Sequence, residues 1–459
     1  MKRHHTPSGR VGKRAPGGRA PWRSGCRELK LTHDVVEPKM FSPEATPARP
    51  RPSGVFERAS RCYHHATMKW ASAISQNNRL ESALKECAQI IHTQLGEAPV
   101  DFAAMFISQN FSGRYEEAHS LLSDRLKIKT LIGASAGGVI GDGQEIEHKP
   151  AVSLIAARLP KVRLRPFSIQ DDDLPDLDAS PRAWEALVNV TAAEDPQFLV
   201  LADPFSINTD NFILGLDYAF PKSAKVGGLA SGASEPGRNA LYLNNLCLRS
   251  GLVGVALSGN IQIDTIVAQG CRPIGKPVRV TECQENVLSA IDGKPPLQVL
   301  QELFQQLPER DKQLLRQSLF LGIAMNSAND RPQAGDFLIR NIIGVDNERG
   351  ILAIGAPIRE GQWVQFHLRD AQASEQDLLQ MFEKMGPLRT ETRGALLFSC
   401  VGRGQKLYGR AHHDSRFFLQ NIGPVPLGGL FCNGEIGPVG GTTYLHGYTS
   451  CFGLFRPKA

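Results

Sequence analysis

The chain has 459 residues, 41% hydrophobic and 21% charged, a composition suited to a folded soluble protein of two or three domains. Its net charge of +6 is uneven: residues 1–67 hold 14 Lys and Arg against 5 Asp and Glu, which leaves 38 basic and 41 acidic residues elsewhere, a balance of −3. The folded part therefore lacks the basic face that a nucleic-acid partner needs, and no apolar run approaches the roughly 18 residues of a membrane span.

Residues 1–67 carry eight prolines and no sustained apolar period, so they read as a disordered basic tail. The first 27 contain no Asp or Glu, the bias of a transit peptide to a chloroplast or other organelle. A solvated tail, or a start extended upstream of Met68, fits the same composition and would leave the protein cytoplasmic. The nine cysteines are scattered and include no C-x-x-C pair, so neither a disulfide framework nor a zinc spacing is present.

Residues 68–98 form a helical lead-in: Leu80, Leu84, Ala88, Ile91 and Leu95 recur at helical spacing, predicting a helix over 78–95 that stops at Gly96. "VDFAAMFIS", "YEEAHSLLSDRL" and "IKTLIGAS" then read as strand, helix and strand, the unit of a parallel pair. Strands follow at 198–206, 239–245, 252–259 and 261–270, and Gly259-Asn260 predicts that the last two form an antiparallel hairpin. An Asn-rich helix start after "FLVLADPFS" predicts a second mixed unit. "PPLQVLQELFQQLPERDKQLLRQSLF" reads as two helices broken at Pro308, and a boundary between halves is expected near 290. Three strands over 337–370, a helix at "SEQDLLQMFEKM", and the strands of "GALLFSCVGRG" and "GGLFCNGEIG" complete the chain. The fold class is mixed α/β (α+β): two sheet-rich halves with packed helices, their strands joined by Gly-rich turns, without a fixed solenoid or propeller period.

Gly133-Ala134-Ser135-Ala136-Gly137 matches the G-x-S-x-G of a nucleophile elbow, but the residues after Gly137 start no helix, and an elbow requires one. A Gly-rich turn with small residues for close packing fits better. A serine hydrolase using Ser135 with a distant acid and His446 remains an alternative. His64-His65 and His412-His413 point apart on any regular backbone and read as solvated, and Asp171-Asp172-Asp173 reads as a solvated turn.

Taken together, "IGASAGGVI…HKPAVSLIAARL", "GLVGVALSGNIQIDTIVAQGCRPIGKP", "FLIRNIIGVDNERG", "FSCVGRG" and "GGLFCNGEIGPVGGTTYLHGYT" resemble the FIST family, in order, from about residue 99 to about 455. The resemblance implies an N-terminal FIST domain over 99–290 and a C-terminal one over 291–459. It also implies a sensory, ligand-binding module for small molecules such as amino acids, with haem reported in some members. The partners it implies are a small molecule and other proteins, as in relatives that carry an F-box; the tail shows no pattern for one.

The halves are expected to enclose a pocket lined by the Gly turns at 133–138, 258–260, 400–404 and 432–437. Its candidate ligand-binding residues are Ser135, Gly137, Ser258, Asn260, Cys400, Arg403, Asn433, Glu435 and His446, with no catalytic residue and no metal. The Arg403 fork would hold a carboxylate and Glu435 an amino group; alternatively the two pair with each other or cap turns. Cys400, Cys432, Glu435 and His446 could be drawn as a metal or Cys-His site, but their spacing is not local.

Overall fold

The computed structural model describes residues 67–326 and 329–458. The tail up to residue 66, its transit-peptide reading and the His64-His65 pair lie outside them.

One arrangement occurs three times along the chain. The first repeat runs β1 (Lys69–Ser75), α1 (Leu80–Leu95), β2 (Val100–Ser108), α2 (Ala118–Ser123), β3 (Ile128–Ala136), a hairpin of β4 (Gly138–Gly141) and β5 (Gln144–Glu147), then β6 (Val152–Arg158). The second runs β7 (Val162–Ile169), α3 (Pro181–Leu187), β8 (Gln197–Ala202), α4 (Thr209–Ala219), β9 (Lys225–Leu229), a hairpin of β10 (Leu241–Leu243) and β11 (Leu246–Leu248), then β12 (Leu252–Gly259). The third starts at β13 (Gln262–Gln269) and is at once interrupted by an insertion. That insertion comprises β14 (Cys271–Gln284), β15 (Val287–Ile291), α5 (Pro296–Gln306), α6 (Glu309–Leu315), β16 (Leu319–Ala324), β17 (Phe337–Asp346), β18 (Ile351–Ile354) and β19 (Trp363–Arg369). The repeat then resumes with α7 (Ala371–Lys384), α8 (Leu388–Glu391), β20 (Gly394–Cys400), α9 (Gly404–Tyr408), α10 (His413–Ile422) and β21 (Leu427–Cys432). It ends with the hairpin of β22 (Glu435–Val439) and β23 (Thr442–His446), and β24 (Thr449–Arg456).

Each repeat builds a six-stranded sheet but borrows its outer hairpin from another. The orders are β1-β6-β2-β3-β10-β11, β7-β12-β8-β9-β22-β23 and β13-β24-β20-β21-β4-β5, and the insertion closes as a barrel, β14-β15-β18-β17-β16-β19. Each sheet holds one parallel pair, as expected for β2 and β3. In the second strand of each pair stands a glycine, Gly133, Gly227 or Gly429, whose missing Cβ would overlap the carbonyl oxygen of Met105, Val200 or Leu397 opposite.

Burial explains why these strands read as continuous apolar runs rather than alternating ones: both faces are covered. The inner faces meet in one shared core that includes Phe102, Ala104 and Phe106 of the first sheet, Leu199 and Leu201 of the second, and Leu396 and Phe398 of the third. The outer faces carry separate helix layers: Leu84 and Ile91 of α1 over Met105, Phe212 and Leu216 of α4 over Val200, and Leu378 and Phe418 over Leu397. The barrel has its own core around Leu288, Leu321, Leu352 and Phe366.

The predicted helices fall where expected, including the break at Pro308, and α1 ends at Gly96 (φ +79°), whose N–H donates to His92 O at 2.7 Å. The segment "YEEAHSLLSDRL" departs: its first three residues end a 3-10 turn that starts at Gln109 and is kinked at Phe111 and Arg114, and only then does the short α2 begin. The predicted hairpin of β12 and β13 is corrected. Gly259 (φ +95°) and Asn260, whose N–H donates to Lys161 O, turn the chain out of the second sheet, and β13 pairs with β24 in the third. The long β14 carries Pro273 and Pro277 and sits in the barrel with a register shift between Ile274 and Val278.

Candidate functional site

The three repeats converge at the C-terminal ends of their parallel strands. Ser231 ties them together: its N–H donates to Ser135 O at 3.2 Å, its hydroxyl accepts from Gly137 N at 2.8 Å, and the same hydroxyl donates to Phe431 O. Around this point lie three equivalent junctions. Each combines the segment after the first parallel strand of one repeat with the loop after the second parallel strand, and the last turn, of another.

At the first junction, Gln109, Ser112 and Tyr115 face the loop from Gly232 to Arg238, enclosing about 600 Å³. Its Arg249 is already answered: it pairs with Glu116, donates to the Asn239 carbonyl at 3.1 Å and lies 5.3 Å over the Tyr115 ring.

The third junction is closed. Glu147 accepts Gln405 N at 2.9 Å, and Glu145 accepts Ser415 N at 2.6 Å. Beside them Arg403, 1% exposed, donates Nε and Nη2 to Asp414 at 2.9 and 3.1 Å, and Nη2 also donates to Tyr408. Asp414 accepts further bonds from Ser450, Ser399 and the His413 ring. The Arg403 guanidinium opposes the burial that would raise Asp414's pKa and holds its carboxyl far below the usual carboxylate range. Glu145, pushed up to about 8 by burial and then by Asp414, is the neighbour that gives way. His413, expected to be solvated, is buried here between Tyr408 and Phe417 and bonded to Asp414 and Glu375, because it opens α10 against α9.

The second junction is roofed by the barrel and opens into a cleft of about 930 Å³. α4, capped by Asn208, whose side chain accepts Asn211 N at 3.0 Å, contributes Asp210. The β20–α9 turn contributes Cys400 and Gly402, the β21–β22 turn Asn433, and the β23–β24 turn His446 and Tyr448. The barrel adds Arg340 of β17, Arg359 before β19 and Arg369 at its end; Lys406 of α9 is the fourth cation. Arg340 donates to the carbonyls of Ile339 and Leu445 at 3.1 and 3.0 Å, and burial lowers its pKa. Arg369 lies 5.9 Å over the Tyr448 ring, and its Nη1 would be 2.7 Å from a Cβ on Gly402, so that glycine makes room for it. Among the described residues none of the four cations has a carboxylate within 4 Å.

Tyr448 adopts φ +64°, a conformation rare for a bulky side chain and found where surrounding structure imposes it. Its hydroxyl donates to Asn341 and its ring packs 4.3 Å from Phe320, fixing the phenol to the barrel. His446 is pushed down to about 4, first by burial, so it is neutral at pH 7. Its Nε2 faces the Gly437 carbonyl at 2.9 Å and must be the donor, which leaves Nδ1 as an acceptor.

Of the residues singled out by sequence, the cleft brings together Cys400, Asn433 and His446. Glu435 lies behind the wall, fully buried, accepting Thr449 Oγ1 at 2.7 Å and the Cys432 thiol at 3.4 Å. Arg403 is spent on Asp414 rather than on Glu435. Ser135 sits within β3, not on an elbow; its hydroxyl accepts Ala240 N at 3.0 Å and donates to Asn239 at 3.4 Å. Gly137 abuts the cleft from behind, 3.6 Å from Val401 measured from an added Cβ. Ser258 and Asn260 lie at the far end of the second sheet: β12 pairs Leu257 with Gln197, the N-terminal end of β8, while the cleft opens beyond its C-terminal end. Burial pushes the Cys400 thiol up to about 12, and among the described residues no His, Cys, Asp and Glu cluster could hold a metal.

Residues 101–294 match the FIST N domain and residues 296–438 the FIST C domain, in tandem. The chain belongs to the FIST family. An uncharacterized protein from Mycobacterium tuberculosis is 31% identical over 392 residues, 84% of this chain and 100% of that protein. An F-box/LRR-repeat protein of Arabidopsis thaliana is 25% identical over 293 residues, 56% of this chain and 54% of its own length. Among solved structures, a cyanuric acid hydrolase from A. caulinodans aligns over 85% of this chain and 100% of its own, with 8% identity and a TM-score of 0.33. FIST domains are in general sensory or ligand-binding signalling modules that take small ligands. Among the described residues no helix is long and apolar enough to cross a membrane.

Proposed function

We propose that this FIST chain is a sensory module, not an enzyme, and binds a small anion of the amino-acid or small-carboxylate class in the barrel-roofed cleft. The observation that carries this reading is the set of cationic side chains facing the cleft with, among the described residues, no carboxylate at ion-pair distance: Arg369, Arg359 and Lys406, and Arg340, which Asp210 and Glu435 reach only at longer range. Half-buried guanidiniums keep their charge, and a ligand carboxylate matches their fork better than water does. Asp210, whose pKa is raised by burial, is placed to answer an amino group. Haem suits the cleft poorly: four cations stand where a porphyrin needs apolar faces, and His446 gives its Nε2 to Gly437.

A serine-hydrolase reading finds less support, because the hydroxyl of Ser135 bonds to Asn239 and Ala240 and the Nε2–H of His446 to a carbonyl. A substrate-adaptor reading draws on the name of the Arabidopsis relative, and pulldown with the whole chain tests it. The ligand reading is tested by native mass spectrometry of the full chain against its denatured mass. A small acid that is retained by the wild type and lost in Arg340→Met supports it. A bare mass, with no thermal shift from amino acids or small carboxylates at millimolar concentration, sinks it.

A further inference from the structure

The charged side chains on the wall of the barrel-roofed cleft are Asp210 on one side of the ledger and Arg340, Arg359, Arg369 and Lys406 on the other, an excess of three positive charges when His446 is neutral. A single carboxylate leaves most of that excess unanswered, and at Arg340 and Arg369, the two that are partly buried, an uncompensated charge costs most. The two barrel arginines are also held apart. Arg340 in β17 is opposite Leu321 of β16, while Arg369 at the end of β19 donates its N–H to Ser318 O, just before β16. They are thus two strands and three residues apart, roughly 14 Å between Cα atoms at ordinary strand spacing and rise.

Their surroundings differ as well. Arg340 is anchored to the Leu445 carbonyl, on the side of Asp210 and Glu435. Arg369 stands over Tyr448 and Gly402, on the side of Cys400. Tyr448, pinned by Asn341 and Phe320, lies between these two poles.

Building on the anion-binding reading above, we propose that the cleft selects a dicarboxylate, one carboxylate bound by Arg340 and the other by Arg369 with Lys406. Each fork has its own anchor, Arg340 on the Leu445 carbonyl and Arg369 over the Tyr448 ring, and two separately anchored forks match two carboxylates better than the single centre of a phosphate group. Because both arginines belong to the inserted barrel and the other walls to the second and third repeats, the proposed ligand would bridge barrel and core.

The test is isothermal titration of the full chain at constant ionic strength with succinate, glutarate and adipate, each beside the monocarboxylate of equal carbon number. At least one diacid is expected to bind about tenfold to a hundredfold tighter than its monoacid, the effect of one added charge-assisted contact. Arg369→Met should bring the diacid down to monoacid affinity while leaving the monoacid within about twofold. Lys406→Gln, at an exposed position where folding is not at stake, should weaken only the diacids. Equal affinity for diacid and monoacid in the wild type overturns the proposal and leaves the single-anion reading standing. A phosphomonoester that outcompetes every diacid overturns it too. If neither acid series binds, the dicarboxylate proposal falls, and the anion reading is then decided by its own test with amino acids.

Discussion

Two junctions of this molecule are built from corresponding strand ends and treat charge in opposite ways. Where the third repeat meets the first, Arg403 is sealed against Asp414, and Glu145 and Glu147 reach from β5 to close the gap. Where the second meets the third, Asp217 of α4 accepts from Thr443 of β23 and Asp210 stands on the cleft wall, but the barrel brings in arginines that, among the described residues, have no carboxylate at ion-pair distance. A repeated scaffold can thus use one junction as a structural clamp and its counterpart as a binding site, the difference being which side chains are supplied from outside the repeat.

The largest effect should come from breaking the clamp. Asp414→Ala leaves a fully buried guanidinium without its partner, and chemical denaturation should show a loss of about 3–5 kcal/mol. Arg369→Met in the open cleft should cost little stability, since it removes no ion pair.

Next in size is a pH effect seated behind the cleft. Glu435 is pushed up from 4.5 to about 7, chiefly by burial, so between those values the folded chain holds a proton that the unfolded chain has lost. Its contribution to stability is therefore present below pH 4.5 and lost as pH rises through 7. Glu435→Gln should flatten that decline by about 3 kcal/mol in unfolding curves taken across the window. His446 and His367, both pushed down to about 4, work in the opposite direction as pH falls below 6.5, but they are common to both proteins and cancel in the difference.

Gly227→Ala tests the repeat itself. An added methyl would meet the Val200 carbonyl, and overpacking of this kind costs about 1–3 kcal/mol. Gly133→Ala and Gly429→Ala should cost similar amounts if the three parallel pairs are equivalent. The smallest expected change is Gly402→Ala, whose methyl displaces only the flexible end of Arg369: thermal stability should hold while affinity for a small carboxylate falls by up to about tenfold.

Local elements were legible in the sequence because their signals are local: the apolar stripe of α1, the parallel pair of β2 and β3 around their crossover, and the stop at Pro308. What failed was pairing. Gly259-Asn260 has hairpin chemistry, but tertiary pairing sends β12 and β13 into different sheets, and the prolines of β14 hide a strand that pairs Pro273 with His367 and takes Pro277 at a bulge. The threefold arrangement left one faint trace, the recurring glycines in "LIGASAGG", "VGGLASG" and "GGLFCNG". Cys400, Asn433 and His446 of the cleft were legible as polar or reactive residues beside Gly turns. Arg340 and Arg369 were not, because an arginine within "FLIRN" or "FHLRD" looks like any solvated strand residue until the insertion folds over the second junction. Arg403 was read as a fork for a ligand carboxylate or as the partner of Glu435; its partner is Asp414, 11 residues on and beyond the intervening α9, where spacing gives no signal.

The most direct test of the account is a crystal structure of the full chain grown with glutarate. Density for the diacid between Arg340 and Arg369, under the barrel, is the predicted result. Density in the cleft beside Arg249, with the barrel-roofed cleft holding only water, would contradict it.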